Sequence, residues 1–116
     1  MQYYIYVDDI REDATWYNTH LTKEEYRPHI CRNYQEVVDL VNSILANDAE
    51  AAFIFDLDHD LGEGNENELE PTGYDICKWI LKNNINLVGF HVHSMNPVGA
   101  RNIHQLLTHY GYRELN

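Results

Sequence analysis

Apolar residues along this chain come in two rhythms: short unbroken runs, and longer stretches with a period near that of a helix. Residues 2–7 (QYYIYV) are dense in aromatic and β-branched types and read as a strand ending at Asp8-Asp9. Residues 11–26 are mixed and dotted with aromatics, which predicts irregular chain with room for one short helix. Residues 27–31 (RPHIC) are a candidate second strand. Asn33, with Glu36 three residues on, opens a helix over 34–46 whose apolar side carries Val37, Val38, Leu40, Val41, Ile44 and Leu45. Ala51–Leu57 is an apolar run broken only by Asp56, as in a central parallel strand covered on both faces.

Residues 58–71 are rich in Gly and Glu and read as a loop. Thr72 with Asp75 spells a capping box for a helix reaching Asn83, with Ile76, Ile80 and Leu81 as its apolar positions. Leu87–His93 reads as another buried strand. Asn96-Pro97 is an N-cap followed by a first-turn proline, opening a helix that runs to Tyr110 and stops at Gly111. Tyr112–Leu115 is a candidate short final strand. Strands alternating with helices predict βαβ units, hence an α/β fold with a doubly wound, mainly parallel sheet and right-handed crossovers. No internal repeat or linker interrupts the pattern, so residues 1–116 read as one domain.

That topology has a chemical consequence. In open α/β sheets, ligands bind beyond the carboxyl ends of the strands. The first strand ends at Asp8-Asp9, the third at Asp58-His59-Asp60 and the fourth at His93-Ser94-Met95-Asn96. Three segments remote in sequence are therefore expected to deliver polar residues to one rim.

Composition narrows the partners. The net charge of −11 argues against binding along extended nucleic-acid backbones, which needs clustered Lys and Arg. A small phosphate ester bound through a divalent metal stays compatible with it. Cys31 and Cys77 are far apart and form no metal-ligand pair, the usage expected of reduced, buried thiols in the cytoplasm. The N-terminus MQYYIYVDD lacks the basic and long apolar regions of a signal peptide, and no run approaches the ~18–20 apolar residues of a membrane span. The expectation is a cytoplasmic domain without membrane partners.

Asp8, Asp9 and Asp58 are candidate ligands for a hard divalent cation, Mg²⁺ or Mn²⁺, which takes oxygen donors and would neutralise carboxylates that otherwise repel one another. An acidic pair after a strand can equally cap the following turn. The spacing D-x-D-x-D at 56–60 also opens an EF-hand, but Leu61 sits where that loop needs glycine and Asn67 where it needs a bidentate glutamate. His91 and His93 share one face of their strand; His91 reads as a hydrogen-bonded core residue, whereas His93 stands at the strand end beside Ser94. His59, flanked by two carboxylates that favour its protonated form, is a candidate general acid, with Asp60 beside it. Ser94 is placed to donate its hydroxyl to a phosphoryl oxygen. The helix start at Asn96, with Gly99 in its first turn, offers backbone N–H groups to an anion. Arg11 and Arg101 are candidate phosphate clamps.

These residues together resemble the two-component receiver domain: an acidic pair after the first strand, an Asp at the end of the third, a Ser at the end of the fourth. The motifs VDDIR (7–11), LDHDLG (57–62), TGYD (72–75) and HVHSMNPVGARNI (91–103) are more similar to a divergent branch, the cyclic-phosphate processing receiver-like domain. The resemblance spans nearly the whole chain and implies a receiver (flavodoxin)-like fold and a role in handling cyclic phosphates, including 2′,3′-cyclic phosphate at RNA ends. It places the receiver's acidic position on Asp58, with Asp60 beside it, rather than on Asp56. Two departures argue against phosphorelay signalling: the chain ends before a fifth strand carrying the receiver lysine, and the loop after Asp60 lacks the expected proline. Two functions remain open on the sequence. One is a metal-dependent phosphoesterase acting on a cyclic or terminal phosphate of a small nucleotide or RNA end, with His59 or His93 protonating the leaving oxygen. The other is a non-catalytic binding or signalling module whose acidic pocket holds metal or phosphate.

Overall fold

The computed structural model describes residues 1–61 and 71–116. The predicted loop at 58–71 lies mostly outside the described residues. The elements follow in the order β1 (Gln2–Val7), α1 (Thr15–His20), β2 (Arg27–Cys31), α2 (Tyr34–Asn47), β3 (Ala52–Leu57), α3 (Gly73–Lys82), β4 (Leu87–Val92) and α4 (Pro97–His109). The four strands pair in the order β2-β1-β3-β4, all parallel. The predicted α/β fold with a doubly wound parallel sheet is the observed one.

Side-chain alternation divides the sheet into two faces. Ile5, Val7, Phe53, Phe55, Leu57 and Phe90 pack against Val37 and Val41 of α2, Ile76, Cys77 and Ile80 of α3, and Ile103 and Leu107 of α4. Tyr4, Tyr6 and Ile54 point the other way, onto Tyr17 and Trp16 of α1 and onto Leu115. The central strand β3 is buried throughout, as its unbroken apolar run predicts.

The helix starts follow their caps. Asn33 accepts from the Glu36 N–H at 2.9 Å. The Glu36 carboxylate accepts in turn from the Arg32 N–H, one residue outside the cap. Thr72 and Asp75 close the full capping box of α3, and Asn96 accepts from the Gly99 N–H ahead of α4. The predicted final strand is a single parallel bridge between Phe90 and Glu114. It is held by the Phe90 N–H on the Arg113 carbonyl and the Leu115 N–H on the Phe90 carbonyl. Two backbone bonds are too few to set a strand, yet they seat the segment beside β4, where Leu115 covers Gly89.

Candidate functional site

The strands end in step, and this register builds the site. Val7 pairs with Leu57, and Leu57 with Val92. The backbone ladder then continues one rung: the Asp58 N–H donates to the Val7 carbonyl and the His93 N–H to the Leu57 carbonyl, both at 3.0 Å. Asp8, Asp58 and His93 therefore stand side by side on that rung, and alternation turns all three to the face of Tyr4, Tyr6 and Asp56. One ligand atom from each lies within 4.8 Å of the others. The cleft above them, about 560 Å³, is lined also by Asp9, Ile10, Arg11, Asp60 and Met95.

Each member is held from behind. Asp8 is buried at 2 % exposure. Its Oδ1 accepts the N–H groups of Ile10 (2.9 Å) and Arg11 (2.8 Å). Its Oδ2 faces His93 Nε2 at 3.0 Å. Burial alone would raise the Asp8 carboxyl, but these three donors outweigh it and hold it below the ordinary range. Asp58 goes the other way: burial and the neighbouring Asp8 charge push it up, against the opposing pull of His93, the Ser94 hydroxyl and the Asp60 N–H. The Asp58 carboxylate is thus the under-compensated charge of the pair.

His93 is anchored on both sides. Nδ1–H donates to Asp56 Oδ1 at 2.5 Å, Nε2–H to Asp8, and the ring stacks on Tyr6 with centroids 4.6 Å apart. Burial favours its neutral form, but Asp56 and Asp8 override this and raise its pKa. Asp56, 1 % exposed, also accepts the Tyr4 hydroxyl. The chain Tyr4–Asp56–His93 ends in the cleft, and Asp56 is the member that sequence reasoning passed over as an interruption of β3. A charged residue inside a central apolar strand was the available signal, because a buried carboxylate requires partners.

The remaining predicted residues fall into two groups. Asp60, Arg11 and Asp9 line the cleft, although Asp9 is not in the trio of converging ligand atoms. Asp60 accepts from His59 Nδ1 at 2.8 Å and from Asn96 Nδ2, first of which holds its carboxyl below the ordinary range. His59, Ser94, Asn96 and Gly99 serve as supports. The Ser94 hydroxyl bonds Asp58 and accepts the Asn96 N–H, and the Gly99 N–H is taken by Asn96 Oδ1. A Cβ at Gly99 would lie 2.3 Å from the His59 ring, so only glycine lets α4 pass that close. Gly73 has the same constraint, with a Cβ reaching the Asp58 carbonyl at 2.1 Å. Arg101 is exposed on α4, outside the residues that line the cleft.

The cleft is thus a receiver-like acidic rim with a histidine in it. Residues 3–109 match the family of cyclic-phosphate processing receiver domains. The chain belongs to that family. A solved structure with the same fold is the signal receiver domain of a putative LuxO repressor protein from Vibrio parahaemolyticus, at TM-score 0.59 and 18 % identity. The superposition covers 98 % of this chain and 75 % of that one. No curated protein matches the chain. Among the described residues no helix is long and apolar enough to cross a membrane. For this cyclic-phosphate processing receiver domain, the donor set fits a divalent cation, since two carboxylates, one of them under-compensated, converge with an imidazole nitrogen. An imidazole nitrogen among the donors suits a transition-metal dication better than Mg²⁺, which takes oxygen ligands.

Proposed function

We propose that this domain is a divalent-metal-dependent phosphoesterase that opens a cyclic phosphate on a small nucleotide or RNA end. The observation that carries the reading is the convergence of Asp8, Asp58 and His93 on one rung, within 4.8 Å, at the floor of a cleft. These three residues would hold the cation, which would neutralise charge and polarise a phosphoryl oxygen. Arg11, which lines the cleft, would pair with the phosphate.

Water attack on phosphorus forms one P–O bond and breaks the ring P–O bond, moving one proton from the water to the leaving oxygen. Asp60 lines the cleft and is kept ionised by His59 and Asn96, so its carboxylate would take that proton and return it. His93 would serve as a ligand rather than a proton donor to the leaving oxygen: with the cation bound, Nε2 would give up its proton and its bond to Asp8, while Nδ1–H stays on Asp56. A screen of 2′,3′- and 3′,5′-cyclic nucleotides and cyclic-phosphate RNA ends with Mg²⁺ or Mn²⁺, read by phosphorus NMR, tests the reading. We expect a phosphomonoester product with Mn²⁺, abolished in Asp58→Asn. Binding without any turnover would replace the phosphoesterase with a non-catalytic binding module.

A further inference from the structure

We infer that Ile10 and Met95 form an apolar clamp for a planar organic group carried next to the substrate's phosphate, so that the cleft selects a nucleoside cyclic phosphate over the bare ester. This rests on the cyclic-phosphate reading and adds a specificity to it.

Among the described residues, three of the seven exposed large hydrophobic side chains gather at the cleft end of the sheet: Ile10 at 63 %, Met95 at 78 % and Val98 at 65 % exposure. A single exposed apolar side chain needs no explanation. Here Ile10 and Met95 both line the cleft that holds the carboxylates, and they come from different loops. The Ile10 backbone is fixed by its N–H on Asp8, and the chain beside Met95 by the Asn96 N–H on Ser94. Anchored backbones thus hold two apolar side chains over an acidic floor.

The size of the cleft points the same way. At about 560 Å³ it falls within the range of sites that take drug-sized ligands. A five-membered cyclic phosphate and its cation fill only the polar floor, leaving the space bounded by Ile10 and Met95 for the rest of the molecule. A thioether packs well against an aromatic ring, as a nucleobase would require. The net charge of −11 disfavours a longer polyanion, so the fitting ligand carries one nucleoside at the cyclic phosphate.

Initial-rate assays on the Mn²⁺-loaded full chain, replaced by titration calorimetry where there is no turnover, compare the apparent affinities for adenosine 2′,3′-cyclic phosphate and for methyl riboside 2,3-cyclic phosphate, the same ester without a base. Wild type should prefer the nucleoside by about tenfold, the scale of one apolar contact surface removed from water. Ile10→Ser with Met95→Ser should bring the ratio of the two affinities close to one. Both ligands are read on the same sample, so partial unfolding cannot imitate this collapse. A wild-type ratio near one, or a preference that survives the double substitution, overturns the clamp while the cyclic-phosphate reading stands. That second outcome would leave the apolar pair to a protein partner. Failure of wild type to bind either ester removes both readings.

Discussion

A carboxylate in the middle of a central strand is tolerated only when it is paired, and Asp56 is paired twice, with the Tyr4 hydroxyl and His93 Nδ1. Its effect on the site is indirect: it fixes which way the imidazole points and so presents Nε2 to the cleft. Outer partners of this kind commonly carry a large share of metal affinity. Asp56→Asn is therefore expected to weaken Mn²⁺ binding by about 10–100-fold, measured by electron paramagnetic resonance titration of folded protein. Tyr4→Phe should instead act on stability, costing about 1–3 kcal/mol in urea unfolding because the buried carboxylate loses a donor. Mn²⁺ affinity unchanged in Asp56→Asn would remove its positioning role. At this scale the sequence was informative where a residue follows a strand end: Asp8, Asp58 and His93 could be placed by topology. It was silent on Asp56, because the partners that make its burial affordable lie 52 and 37 residues away. The support roles of Ser94 and Gly99 were hidden likewise, since they depend on distances between loops.

Caps made most helices readable. Asn33, Thr72 and Asn96 each bond the backbone N–H three residues on, and α2, α3 and α4 start where these residues stand. The six-residue α1 has no side-chain cap bond and no acid in its first turn, so nothing local marked it within 11–26. The α3 cap also has a pH signature. Burial would raise the Asp75 carboxyl, but the Thr72 N–H and Lys78 together hold it below its ordinary value of 3.8. A carboxyl lowered in the folded state adds stability above that ordinary value and loses it as pH falls through the folded value. Because α3 begins against the Asp58 carbonyl at Gly73, this loss reaches the site as well as the helix. Thermal melts between about pH 5 and about pH 3 should show wild type losing stability more steeply than Asp75→Asn. Parallel curves would mean that the box does not titrate with folding.

At the scale of the whole molecule, alternation and apolar runs were enough for the parallel sheet, because βαβ crossovers leave few alternatives. The weak final segment was less legible: its single bridge at Phe90–Glu114 is a tertiary docking, also fastened by His91 Nδ1 on the Leu115 carbonyl at 2.8 Å. The two faces of the sheet are covered unequally, by three helices on one side and by short α1 with Leu115 on the other. Amide protons should exchange with deuterium accordingly. Those of β3, buried throughout, are expected to persist to global unfolding, whereas those of α1 leave early through local opening. The Ile10 and Arg11 amides lie on the connection into α1 and also hold Asp8. Their exchange, followed by mass spectrometry, should therefore track α1 rather than β1, and Mn²⁺ should slow it. If instead they persist as long as the β3 amides, the floor of the cleft belongs to the rigid half of the protein. Early exchange that Mn²⁺ slows would mean that an ion entering the cleft stiffens the thinner side of the sheet, so that occupancy of the cleft would be written into the mobility of α1.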